Sequence, residues 1–244
     1  MNFRPMALSA LMACGIWGCL GVAQVPGAKG DHRAGASRAE RTVLSHLCPP
    51  LRSAGMVGRV YYGAVCYGER GDTVPFPVIK IHPASSGAEG LVAVREMFRM
   101  EKGVVVTEGP PGVIRVRIGK VPGTVLGTRI PLLTLEPLMQ YNPVLAVSAI
   151  ENTQEVKAAM HRLGVRPVQT LAAQLLIQPA PGLPHLRSSI KDITVDQALD
   201  LIAETFNGIV VYGACGDLFR IDFADMGCLK DPAQTRPAMD QRRR

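Results

Sequence analysis

Aromatic residues make up only 5% of this 244-residue chain, with a single tryptophan, and charged residues only 19%. So few rings provide no row of stacking platforms of the kind that holds single-stranded nucleic acid. No two cysteines have the C-x-x-C spacing of a structural zinc site. Nor is there a G-x-S-x-G, an H-E-x-x-H, a phosphate-cradling glycine loop or a dinucleotide fingerprint. That removes the enzyme types whose chemistry shows as a short motif. The composition also excludes a collagen-like repeat, a coiled coil and a polytopic membrane protein. What is present is 47% hydrophobic residues with 25 glycines and 19 prolines, enough to bury a core of one or two ordinary domains.

Arg4 followed by an apolar run from Met6 to Val22, ending in Gly21-Val22-Ala23, reads as a secretory signal peptide over residues 1–23. The run is 17 residues long and broken by Gly15, Gly18 and Gly21, short for a membrane span. The alternatives are an uncleaved anchor and lipidation at Cys14 or Cys19, but bulky Met12 and Trp17 stand where a lipobox has small residues. The expected location is periplasmic or secreted, with no transmembrane span after cleavage.

Export makes the remaining cysteines, Cys48, Cys66, Cys215 and Cys228, candidates for two disulfides. Four cysteines allow three pairings, and the nearest neighbours give Cys48–Cys66 and Cys215–Cys228. The formal net charge of +7 carries less meaning than its size suggests. Residues 24–41, read as a flexible leader, hold four basic and two acidic side chains, and residues 230–244, read as a disordered basic tail, hold five and two. The body between them is nearly neutral, so no nucleic acid partner is expected.

Residues 42–74 enclose the first cysteine pair and read as a disulfide-closed arm. The next segment, 75–120, reads as a strand–helix–strand–strand (βαββ) unit. Val78–His82 forms its first strand, Ser86 and Glu89 have capping-box spacing, and Gly103 closes the helix. Val104–Thr107 and Val113–Ile118 then form a hairpin around Gly109-Pro-Pro-Gly112. The same order recurs over 186–229. A strand leads to Thr194, which caps a helix with Gln197 three residues on, and Asn207-Gly208 ends it. Ile209–Tyr212 and Leu218–Phe223 make the second hairpin. From cap to return strand the distance is 27 residues in one copy and 25 in the other, as in a divergent internal repeat. Residues 121–185 between the copies read as mainly helical. Asn142-Pro143 starts one helix and Asn152-Thr-Gln-Glu155 another that ends at Gly164, while Leu171–Gln178 fits either a helix or a buried strand. The expected fold class is α+β, two βαββ units joined by a helical segment.

The stretch Ser189-Ile-Lys-Asp-Ile-Thr-Val-Asp-Gln-Ala-Leu-Asp-Leu-Ile-Ala-Glu-Thr-Phe-Asn-Gly-Ile-Val-Val-Tyr212 resembles the short N-terminal (STN) domain shared by secretins and TonB-dependent receptors. Val195, Ala198, Leu199, Ile202, Gly208 and Val210 carry the likeness, which covers about 40 residues. No run of alternating barrel strands follows Cys228. The resemblance implies an envelope module that docks onto another protein or a small ligand without catalysis, and it brings no active-site residue, no cofactor and no metal.

The residues placed to meet a partner are Arg115 and Arg117 on one return strand and Arg220 and Asp222 on the other. The expected partner is an envelope protein bound by strand addition along 104–118 or 209–223. The competing expectation is a periplasmic hydrolase with a cleft between the two units, using His82 and an aspartate. The other four histidines, His32, His46, His161 and His185, are scattered, and Asp217, Asp222 and Asp225 match no calcium loop.

Overall fold

The computed structural model describes residues 37–65, 73–121, 124–168 and 179–227, and all of them belong to one compact unit. The fold is mixed α+β. Among the described residues there are six α-helices, a six-stranded mixed sheet and a separate two-stranded sheet. The signal segment, most of the leader, Cys66, Leu171–Gln178, Cys228 and the basic tail lie outside the described residues.

The organising strand comes from the segment expected to be an arm. Helix α1 (Arg38–Ser53) begins inside the expected leader, where the Ser37 hydroxyl accepts from the Glu40 N–H at 3.2 Å. Val43, Leu44, Leu47 and Leu51 bury its apolar stripe. Pro49 and Pro50 lie within the helix. The N–H groups they lack would have bonded Ser45 and His46, both exposed, so water can satisfy those carbonyls. A turn at Gly55, in the left-handed region, delivers the chain to β1 (Val57–Gly63), nearly all of it buried.

Helix α2 (Gly90–Met97) is followed by the hairpin β2 (Val104–Glu108) and β3 (Val113–Ile118). The expected first strand, Val78–His82, does not form. Pro75, Pro77 and Pro83 deprive that stretch of ladder donors, and it runs as extended coil with Phe76 buried and Val78 exposed. Nor does the Ser86–Glu89 capping box form. Glu89 is itself the N-cap, with no side-chain cap bond, and the helix stops at Met97, well before Gly103.

The central segment contains β4 (Arg129–Thr134), α3 (Pro137–Gln140), α4 (Pro143–Glu151), α5 (Gln154–Leu163) and the two-residue β5 (Arg166–Pro167). Asn142 caps α4, accepting from the Val144 and Leu145 N–H groups at 2.9 and 3.2 Å. Gly164 ends α5 at φ 64°, as glycine readily does. The cap of α5 is Thr153, one residue after the expected Asn152. Strand β6 (Ser189–Thr194) leads into α6 (Val195–Thr205), followed by β7 (Gly208–Cys215) and β8 (Leu218–Asp225). The Thr194–Gln197 capping box is complete.

The large sheet runs β2-β3-β1-β7-β8-β5. β1 lies parallel to both β3 and β7, so it bridges the two hairpins. This corrects the two-unit layout: β6 pairs antiparallel with β4 in its own small sheet, and the hairpins share one sheet. They also present non-equivalent strands to β1, the second of one and the first of the other, so the repeat in sequence is not a repeat in space. Alternation along β1 assigns the faces. The site of a Gly58 Cβ looks onto Leu51 of α1, while Arg59 and Tyr61 reach α6. α1 therefore covers one face and α6 the other.

Candidate functional site

Each face of the sheet carries a charged network, and the adjacent residues Tyr61 and Tyr62 send one hydroxyl into each. On the α6 face Arg59 is fully buried. It donates to Asp200 at 2.6 Å, to the Asp196 carboxylate at 3.0 Å and to the Asp196 carbonyl at 2.9 Å. Arg115, directly opposite Arg59 in the β1–β3 ladder, pairs with Asp200 and with Asp196, the latter at 3.2 Å. Tyr61 donates its hydroxyl to Asp196 at 2.8 Å, and burial pushes its phenol pKa up, which keeps that donor in place. Two arginines and two aspartates thus balance. The spacing of Asp196 and Asp200, four residues apart, points both carboxylates off one side of α6.

Arg117 stands outside this balance. Two residues beyond Arg115, it projects from the same side of β3, and its guanidinium lies over the Tyr61 ring at 6.0 Å from the centroid. No carboxylate among the described residues pairs with it. Arg115, Arg117, Tyr61, Val105, Thr107, Thr124, Leu126, Thr194 and Asp196 line a cavity of about 590 Å³. Its floor is the α6 face of β2, β3 and β1, and its wall is the short 3₁₀ turn Val125–Gly127.

On the α1 face Arg220 pairs with buried Glu40, with Asp222 at 3.2 Å, and donates to the Tyr62 hydroxyl at 2.7 Å. Tyr62 in turn donates to the Val74 carbonyl at 3.2 Å. Burial raises the Glu40 pKa despite its arginine. Glu151, the last residue of α4, is pushed up to about 7 by burial and then by the Asp222 charge. The folded chain therefore holds this proton more tightly than the unfolded chain. The stabilisation is fully present below about pH 4.5, Glu151's ordinary value, and is lost as the pH rises through about 7. Glu151→Gln stays neutral at every pH. In urea titrations it is expected to match the wild type at pH 4 and to exceed it by about 3 kcal/mol at pH 8. Equal stabilities at pH 8 would contradict the assignment.

The four residues expected to meet a partner are thus separated. Arg115 is tied into the α6-face network, Arg117 faces the cavity, and Arg220 and Asp222 lie on the opposite face with Glu40. Sequence reasoning missed Arg59, Asp196 and Asp200, which form the centre of the site. The available signal was the pair of aspartates four apart near a helix start.

The two edges expected to accept a strand also differ. β7 is interior, β5 pairs with the start of β8, and α4 packs against β8. β3 is interior as well, leaving β2 at the rim. Its ladder is fixed by Gly109 N–H to Val113 O at 2.9 Å and Gly119 N–H to Gly103 O at 2.7 Å. With Val105 opposite Arg117 and Thr107 opposite Arg115, the alternation of an antiparallel ladder turns the N–H groups of Val106 and Glu108 outward. The Val106 carbonyl receives only a long contact, 3.5 Å, from Arg95 Nε.

One of the two expected disulfides needs correction. Cys48 is a buried free thiol that donates to the Met226 carbonyl at 3.3 Å, so the Cys48–Cys66 bridge is not formed. Cys215 is disulfide-bonded, with its partner outside the described residues. Cys215 pairs with Leu218 at the turn of the β7–β8 hairpin, while Asp225 pairs with Gly208 at the far end. The expected Cys215–Cys228 pairing falls on Cys228, which lies outside the described residues.

His82 lines a different cleft, of about 420 Å³, with His46, Ser53, Ser85 and Glu89. No aspartate is among the described residues lining it, and no group of three or more metal-ligating side chains is found among the described residues. Among them, too, no helix is long and apolar enough to cross a membrane. Comparison with family models, curated proteins and solved structures returns no match for this chain.

Proposed function

We propose that this protein is an exported, non-catalytic docking module that receives an extended segment of an envelope partner along the outer edge of β2. The observation that carries the reading is the outward row of main-chain groups at Val106 and Glu108, on the edge strand of a sheet whose other edge is partly covered by β5 and α4. An added strand would satisfy those groups, displacing the long contact from Arg95 of α2, which packs against β2, and would set alternate side chains above each face of the sheet. The likeness of residues 189–212 to the STN domain supports the same role, since α6 and β7 supply the helix and the valine-rich strand of that pattern. Arg4 and the apolar run that follows support export.

The test uses alternating decapeptides of threonine with glutamate, glutamine or lysine as model strands. At least one is expected to slow amide exchange at Val106 and Glu108 by tenfold or more. Val106→Pro removes one outward donor without disturbing a ladder bond to β3, so it should keep the fold and abolish the protection at Glu108, the outward amide that remains. Lack of protection by every peptide, or undiminished binding to Val106→Pro, would overturn the reading.

A further inference from the structure

We propose that the cavity bounded by β2, β3 and the Val125–Gly127 turn is a binding site for a compact organic monocarboxylate, with Arg117 as its counterion. This inference stands apart from docking at the β2 edge and does not depend on it.

The charge balance selects a monoanion. Arg59 and Arg115 are matched by Asp196 and Asp200 through direct contacts. That leaves Arg117 as the one cation of the cavity without a carboxylate among the described residues. A dianion would bring a second negative charge toward Asp196, whose side chain is 26% exposed and borders the same space. Its repulsion opposes phosphate or a dicarboxylate more than a single carboxylate. A planar guanidinium also matches a carboxylate through two parallel N–H donors.

The remaining lining describes the body of the ligand. Val105, Leu126 and the Tyr61 ring give apolar contact, while Thr107, Thr124 and Thr194 offer hydroxyls for orientation. A volume of about 590 Å³ lies within the usual range of small-molecule pockets. It would hold an acid with a ring or a short branched chain. Arg117 itself is exposed and takes no part in the buried network, so it is free to turn toward a ligand.

Benzoate, its neutral isostere benzamide and the dianion phthalate serve as probes of the full chain by NMR titration. Benzoate is expected to shift the resonances of Tyr61, Val105, Thr107, Arg117 and Leu126, binding at least tenfold tighter than benzamide and tighter than phthalate. Arg117→Gln, with its fold checked by an unchanged spectrum elsewhere, is expected to weaken benzoate at least tenfold and to erase the preference over benzamide. Arg117→Lys should restore part of that preference, because the charge returns without the planar fork. Equal binding of benzoate and benzamide by the wild type, shifts outside these residues, or unchanged benzoate binding by Arg117→Gln would each overturn the proposal.

Discussion

Asp200→Leu is expected to lower the unfolding free energy by about 3–5 kcal/mol, the usual cost of removing one partner from a buried ion pair. Asp200 is 4% exposed and accepts from both Arg59 and Arg115. Without it Arg59, with no exposed side-chain surface, keeps a buried charge facing Asp196 alone. The cost is mostly that of an uncompensated cation, so Arg59→Met in the Asp200→Leu background should recover much of it. Urea midpoints of the two single variants and the double variant give the coupling directly. The Arg166–Asp217 pair, with both side chains about 60% exposed, provides the contrast. Asp217→Asn should change stability by less than about 1 kcal/mol. A loss at Asp200 no larger than that at Asp217 would show that the α6-face network is not a buried structural centre.

Gly63→Ala is expected to cost about 3 kcal/mol, at the upper end of ordinary overpacking. A Cβ at Gly63 would sit 2.0 Å from the Lys120 carbonyl oxygen. That atom is main chain, so no rotamer change relieves the clash, and β1 would have to part from the segment that follows β3. The related site Gly213 would meet the Tyr62 ring at 2.2 Å. There the obstruction is a side chain, and Tyr62→Leu should rescue Gly213→Ala in part while leaving Gly63→Ala unrescued. Gly103, with nothing within 4 Å of its Cβ site, is the control and should tolerate alanine. Thermal unfolding of the three alanine variants settles the order, and a Gly63→Ala as stable as Gly103→Ala would contradict the close approach.

Local signals were legible where the physics is local. The Thr194–Gln197 box, the Asn142-Pro143 start, the left-handed Gly164 and both hairpins all rest on contacts within a few residues, and all appear. α1 was hidden because Pro49-Pro50 looks like a break, and its tolerance depends on which carbonyls face water. The sheet order was hidden because β1 finds its partners far along the chain, at β3 and at β7. The same distance concealed the site. Arg59 meets Asp196 and Asp200 across 137 and 141 residues, so nothing local to α6 marks the two aspartates as buried partners. Arg115 and Arg117 do share one side of their strand, as alternation requires. Only the fold shows that one is neutralised and the other left over.

Amide exchange across β2 in the protein alone tests the rim most directly, residue by residue. Val105 and Thr107, bonded to β3, should exchange slowly, and Val106 and Glu108 should exchange at rates close to those of free peptide groups. Uniform slow exchange from Val104 to Glu108 would mean that the outer side of β2 is already occupied, and the edge would then have no room for a partner.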